Sequence, residues 1–309
     1  MASLAPFAAV LSRIPAPIRG ALWMVTSCAC FSTMTALIRH LTDGIHPFEV
    51  GFFRNLFGLV FVLPWLWRGG LANLRTQRIA LHGLRAMISL SALLCWFTAV
   101  SLMPIAEVTA LSFTTPLFAT IGAALFLHEV VRMRRWLAIA VGFAGTMIIL
   151  RPGVEVIALP ALLALAASAF IAVSVLLVKS LSRTESAATI VFYMALLMTP
   201  LSLAPALFVW TTPPPETWAW LVALGLVATL AHLTLVRAFA TGDASAVLPF
   251  DFSRLIFVAL LGYVFFGERP DVWTWIGAAV IFGATLYSAR HETRRNEPVE
   301  IHHGTAGPI

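Results

Sequence analysis

The sequence predicts an all-α membrane protein: ten transmembrane helices arranged as two inverted five-helix repeats. Three observations carry that expectation: a composition too apolar for water, an internal duplication, and a lopsided distribution of Lys and Arg between alternate loops. The 309 residues are 60% hydrophobic and 11% charged, with a mean hydropathy of +0.91, against roughly 45–50% apolar and about 25% charged for soluble domains. Apolar runs reach about 20 residues, enough to cross a hydrocarbon layer of roughly 30 Å at about 1.5 Å per residue. Lipid offers the backbone no hydrogen-bond partner, so these runs are expected as helices.

The duplication is read by sliding Leu111 to Gly153 forward by about 139 residues, onto Phe250 to Ala289. Glu129 then falls on Glu268, Trp136 on Trp275, Phe126 on Phe265, Val141 on Val280, Phe143 on Phe282 and Thr146 on Thr285. Glu and Trp are rare in such runs, and here they keep their spacing, which composition alone does not produce. The first spans correspond too: Phe31 falls on Phe170, and Ala-Leu-Ile-Arg-His-Leu at 36–41 resembles Leu-Leu-Val-Lys-Ser-Leu at 176–181.

Along the chain, residues 1–18 are rich in Ala and Pro and too weakly apolar for a signal peptide, and are expected as a cytoplasmic leader. The first repeat, 19–151, holds apolar runs at about 20–41, 47–67, 78–102, 105–127 and 133–150. The second, 157–290, holds runs at about 157–181, 187–210, 216–239, 244–266 and 271–290. In each repeat a short polar hinge carrying Glu129 or Glu268 separates the fourth run from the fifth. Trp65, Trp67, Trp210, Trp218 and Trp220 sit at run ends, where headgroup-level aromatics are expected. The polar segment 291–309 reads as a disordered cytoplasmic tail.

Orientation follows from where the cations fall. With the amino terminus and every second loop on one side, that side collects Arg13, Arg19, Arg68, Arg75, Arg78, Arg132, Arg134, Arg135, Lys179, Arg183, Arg237, Arg290, Arg294 and Arg295, and the other only Arg39, Arg151 and Arg269. Positive residues stay inside, so both termini are expected in the cytoplasm. An odd number of spans per repeat then inserts the second copy upside down, the construction common in secondary transporters, which bind substrate near the midplane between repeats. The net charge of +6 therefore belongs to topology, and no nucleic-acid partner is expected. Cys28, Cys30 and Cys95 lie within apolar runs as small packing residues, with no disulfide or metal spacing.

The two hinges carry a family resemblance. Leu-His-Glu-Val-Val-Arg-Met-Arg-Arg-Trp at 127–136, with Gly142, Gly145, Arg151 and Pro152, and Phe-Gly-Glu-Arg-Pro-Asp-Val-Trp-Thr-Trp at 266–275 resemble the paired EamA repeats of the drug/metabolite transporter superfamily. The resemblance covers nearly all of 20–290. His-Pro-Phe-Glu-Val-Gly-Phe-Phe-Arg-Asn at 46–55, with Trp96 and Pro-Ile-Ala-Glu at 104–107, is similar to a proteobacterial branch that includes S-adenosylmethionine and riboflavin uptake carriers. It implies a ten-helix inner-membrane carrier working by alternating access, with a small-molecule substrate, and leaves a homodimer open.

Ionisable residues inside the runs are the candidate site, because a charge at the bilayer centre costs at least about 2.5–3.5 kcal/mol and normally faces protein or a wet cavity. They are Arg54, Arg85, Glu107, His232, Asp251 and Arg254. Arg54, Arg85 and Glu107 could instead snorkel to an interface, and His232 reads more readily as a hydrogen-bonded packing residue. Asp251 and Arg254, three residues apart on one helical face, are either a structural ion pair or part of a transport route. Trp96 and Phe113 sit deep enough to stack on a planar solute, though core packing is the commoner role for either.

The expected substrate-binding set is Arg54, Arg85, Trp96, Glu107, Asp251 and Arg254. Cationic and anionic groups together suit a zwitterionic or polar heterocyclic solute such as S-adenosylmethionine or riboflavin, with an amino-acid or drug exporter as the alternative of the same fold. His128-Glu129 opens like a zinc-protease helix, but the fifth position is Arg132, so the second metal-binding His is missing. No catalytic residue, metal or cofactor is expected, and no phosphate-binding G-x-x-x-x-G-K-[ST] stretch occurs, which assigns the driving force to a gradient or exchange. An intramembrane enzyme would need an acid/base or nucleophile constellation that no spacing supplies. A scaffold or channel is the remaining alternative.

Overall fold

The computed structural model describes residues 16–68, 76–126, 133–151, 158–181, 184–185, 187–241 and 248–293. Every regular element among them is helical: α1 (Ala16–Leu41), α2 (Pro47–Arg68), α3 (Ile79–Leu102), α4 (Ile105–Ser112), α5 (Thr115–Phe126), α6 (Met133–Leu150), α7 (Leu159–Leu181), α8 (Ala187–Leu207), α9 (Trp218–Thr241), α10 (Ser253–Phe266) and α11 (Val272–Thr293), with single 3₁₀ turns at Pro215–Thr217 and Leu248–Phe252. Six stretches are long and apolar enough to cross a membrane: Ile18–Leu41, Ile79–Leu102, Ile105–Leu125, Leu159–Val178, Thr189–Leu207 and Pro215–Thr241. α2 is long enough as well but carries Glu49, Arg54 and Arg68. α6 and α11 contain shorter apolar segments, Trp136–Leu150 and Val272–Tyr287.

Three boundaries differ from the sequence expectation. α1 starts at Ala16 and so takes in the last residues of the expected leader, the rest of which lies outside the described residues. α11 runs on to Thr293, three residues into the expected tail, whose remainder also lies outside them. The run at 105–127 is two helices, interrupted at Phe113–Thr114. Pro116 accounts for the interruption, because it has no N–H for the Ser112 carbonyl and its ring crowds that carbonyl. The chain closes the break locally: Thr114 donates both its backbone N–H (3.1 Å) and its hydroxyl (2.7 Å) to the Leu111 carbonyl.

The second copy departs from regular α-helix at the equivalent place. Adding the repeat offset of about 139 to Phe113 gives Phe252, the last residue of the 3₁₀ turn from which α10 emerges. The helix contacts repeat the pattern. α1 lies along α9 as α7 lies along α3; α2 touches α9 as α8 touches α3; α1 meets α10 as α7 meets α4 and α5. The pairs α2 with α8 and α6 with α11 join equivalent helices to one another, and α4 meets α10, the counterpart of α5. This is the contact pattern of a two-fold relation between copies.

Side-chain sizes sort as expected for helices in lipid. α9 buries Leu221, Leu224, Gly225, Ala228, Ala231 and Ala238 and exposes Leu226, Leu230, Leu233, Val236 and Phe239. Small residues let backbones approach while large apolar ones face the hydrocarbon, since lipid gives no hydrophobic drive to bury them. At α6 with α11 backbone meets backbone: a Cβ on Gly145 would lie 2.9 Å from the Gly277 carbonyl oxygen, and one on Gly277 2.6 Å from that of Gly145.

Candidate functional site

The polar side chains meet where helices of the two copies cross. Arg54, on α2, reaches across to α9, where its Nη2 lies 3.0 Å from His232 Nε2. A guanidinium only donates, so the imidazole accepts at Nε2. The other arm of Arg54, Nη1, donates to Asn55 Oδ1 at 2.9 Å, and the Asn55 amide donates to Ser202 Oγ of α8 at 3.1 Å. Arg54 is thus tied to the neighbouring helices α8 and α9, not extended along its own helix toward an interface.

The run continues through an aromatic ring. Phe31 of α1 meets His232 edge to face, centroids 5.2 Å apart, and the Arg254 guanidinium lies 5.1 Å from the centre of the same Phe31 ring, a cation–π distance. Arg254 Nη2 donates to Asp251 Oδ1 at 2.8 Å. The Arg254 backbone carbonyl accepts the Ser32 hydroxyl at 3.0 Å, and the Cys28 thiol donates toward Asp251 Oδ1 at 3.6 Å. Asp251 lies in the 3₁₀ turn and Arg254 in the first turn of α10, so the pair is held at the break itself. Next to it, Phe252 stacks on Phe113 with centroids 5.8 Å apart, and Phe282 packs 4.7 Å from Phe252.

The expected residues therefore divide. Arg54, Asp251 and Arg254 belong to one connected cluster. Arg85 donates instead to the Ile190 carbonyl of α8 at 3.1 Å, one turn from His82, which packs on Tyr193. Trp96 is half-buried on α3 and packs against the central core. Glu107 sits in the first turn of α4, where a carboxylate suits the helix amino terminus. Glu129 and its hinge lie outside the described residues.

His232 joins the cluster although sequence reasoning favoured packing for it. A single His gives no spacing signal, and only the α2–α9 crossing brings Arg54 to it. Glu49 was likewise not singled out as an ionisable candidate: fully buried, it accepts the Thr211 amide at 2.9 Å and the Thr211 hydroxyl at 3.1 Å. It fastens the link between α8 and α9 onto α2, beside Phe52, Phe53, Trp210 and Trp218, whose rings pack in a chain.

The cluster lies to one side of the two-fold relation. The sequence equivalents of Arg54, His232, Asp251 and Arg254 are Tyr193, Leu93, Ser112 and Thr115. The fold is duplicated, and the charge is not.

A duplicated set of membrane-length helices with a polar cluster between the copies defines a multi-pass membrane protein of transporter architecture. The chain belongs to the EamA-like transporter family, whose model matches residues 18–151 and again 158–290. It is 36% identical to the riboflavin transporter of Vibrio cholerae serotype O1 over 285 residues, covering 91% of this chain and 96% of the relative. It is 36% identical to the riboflavin transporter of Rhizobium johnstonii, covering 89% and 92%. Identity to the S-adenosylmethionine uptake transporter of Rickettsia felis is 32%, covering 86% and 90%. One solved structure shares the fold with a TM-score of 0.62 at 20% identity, covering 90% of this chain and 98% of that one.

Proposed function

We propose that this protein is a secondary carrier moving a small polar heterocyclic solute across the bacterial inner membrane by alternating access, with ten spans in two inverted repeats and both termini in the cytoplasm. The observation that carries the proposal is the cluster from Arg54 through His232, Phe31 and Arg254 to Asp251, set beside the break between α4 and α5 and the 3₁₀ turn that precedes α10. Discontinuous helices at a repeat interface leave backbone groups and side chains free to meet a solute. In this reading Arg54, Asp251 and Arg254 form the polar wall with His232, Phe113 and Phe252 offer flat apolar faces, and Arg85, Trp96 and Glu107 line other points of the route.

Charge separates the two substrate classes that the relatives' names suggest. The cluster contains two guanidiniums and one carboxylate, an excess of one positive charge. S-adenosylmethionine carries a sulfonium, an ammonium and one carboxylate, hence a net positive charge that this cluster would repel. Riboflavin is neutral, with a flat ring for the phenylalanines and carbonyl acceptors for the guanidiniums. The reading therefore leans to riboflavin or a solute like it.

Direction stays with experiment, since a relative 27% identical is the pseudopaline exporter of Pseudomonas aeruginosa. The decisive measurement is counterflow of labelled riboflavin in sealed proteoliposomes, with S-adenosylmethionine and amino acids as competitors. Accumulation driven by unlabelled riboflavin inside is the expected result. Neither a channel nor an enzyme produces it.

A further inference from the structure

We propose that Glu268 and Arg39 form the latch of an external gate, closed here and broken when the carrier opens outward. The proposal rests on the carrier reading and membrane orientation above. The Glu268 carboxylate accepts the backbone N–H of Ile105, the first residue of α4, at 2.9 Å and lies 3.6 Å from Arg39 Nε. Arg39, in the last turn of α1, donates Nη1 to the carbonyls of Val100 and Ser101 near the carboxyl end of α3. One ion pair thereby gathers four helix ends: the carboxyl ends of α1, α3 and α10 and the amino end of α4.

Each charge meets the helix end that attracts it. Helix amino termini leave amide donors unpaired and carry partial positive charge, while carboxyl termini leave carbonyls unpaired and carry partial negative charge. Glu268 sits on the first kind and Arg39 on the second. The backbone aims Glu268 there: Gly267 takes a left-handed conformation (φ 66°), and the Glu268 amide returns to the Gly262 carbonyl at 3.0 Å, a helix-ending turn that glycine permits. Gly262 also leaves room, since a Cβ there would lie 3.2 Å from both Glu268 Oε2 and Ile105.

Two features distinguish this contact from a permanent joint. It crosses between copies through side chains that keep access to solvent, Arg39 being 25% and Glu268 13% exposed, so water can take over their hydrogen bonds when they part. The Gly145–Gly277 crossing, by contrast, presses backbone on backbone. The latch also holds α4, an eight-residue helix whose other end is the Phe113 break. Releasing Ile105 frees α4 to tilt about that break, which is stacked on Phe252 beside Asp251 and Arg254. External opening and the polar cluster are then parts of one motion.

The test keeps Cys28, buried in the cluster, as the sole thiol by replacing Cys30 and Cys95. Labelling by an impermeant methanethiosulfonate is followed from each side of oriented vesicles. Glu268→Gln, which keeps an acceptor for Ile105 but loses the charge facing Arg39, should raise labelling from outside by about tenfold and lower it from inside, as a population shift requires. Unchanged rates in folded E268Q would overturn the proposal. A second arm, which also serves if E268Q does not fold, places cysteines at positions 39 and 268 in a protein free of native thiols and bridges them with a short bis-methanethiosulfonate, which forms a disulfide to each cysteine and releases two sulfinates. Bridging should stop riboflavin counterflow, and reductant should restore it. A bridged protein that exchanges as fast as the unbridged one makes the contact a permanent joint and overturns the latch. If the parent protein shows no exchange, the riboflavin reading fails and the Cys28 labelling decides the latch alone.

Discussion

Phe113 and Phe252 stack on one another, ring planes inclined at 27°, and each is the other's counterpart across the duplication. Equivalent residues of two copies touch only beside the axis that relates the copies, so the stack marks that axis. Symmetry fails one ring further out. Phe282 packs on both stacked rings, whereas its counterpart Phe143 packs on Phe118. The axis therefore runs between the break at Phe113–Thr114 and the 3₁₀ turn that ends at Phe252, and the charged cluster occupies one side of it.

Opposite orientation of the two copies is the first prediction. In a background without Cys28, Cys30 and Cys95, single cysteines at positions 134 and 271 should react with an impermeant thiol reagent from opposite membrane faces, position 134 from the cytoplasmic side. Labelling of both from one face would rule out inverted repeats.

The Arg54–His232 contact yields a second. Arg54→Gln removes the charge and both of its outward donors, and is expected to reduce uptake by about tenfold or more, with the folded protein retained because Asn55 and Ser202 still join α2 to α8. Arg54→Lys should recover little, since one ammonium does not reproduce the planar fork that reaches Asn55 and His232 together. Uptake by the Lys variant near that of the parent shows that charge alone suffices.

For Asp251 and Arg254 the informative variant is the double one. Asp251→Asn or Arg254→Gln alone leaves an unmatched charge in the bundle, at a cost of about 3–5 kcal/mol. The double substitution removes both and should restore folding, read by thermal melting, while transport stays low. Near-normal uptake by the double variant assigns the pair to the framework.

Packing supplies the last prediction. Gly145→Ala and Gly277→Ala each drive a methyl group into the facing backbone carbonyl and are expected to destabilise by about 1–3 kcal/mol, since neither carbonyl can move without its helix. Gly283→Ala is the control: nothing lies within 4 Å of its Cβ, and there alanine should be neutral or stabilising by up to about 1 kcal/mol. Equal melting temperatures for all three variants would mean that α6 and α11 do not meet as closely as described.

Much of this protein is legible in its sequence, for reasons of solvent and repetition. A chain this apolar must satisfy its backbone internally, so helices were dictated before any contact was known. The recurrence of Glu129 as Glu268 and Trp136 as Trp275 made the duplication visible, because rare residues at a fixed offset survive where common ones blur. The charge of Asp251 and Arg254 marked them as costly residues that need partners, and their three-residue spacing made each a candidate partner for the other.

Tertiary structure decided what depends on helices distant in the chain. Arg54 and His232 stand 178 positions apart, and nothing local to either encodes the other; only the crossing of α2 with α9 makes a single Arg and a single His into a pair. Glu268 looked like one half of a repeated hinge, yet it serves the first residue of α4 and the last turn of α1. Sequence registers which side chains are expensive to bury. Which partner relieves that expense is set by how the helix ends come together, and that is a property of the packed bundle alone.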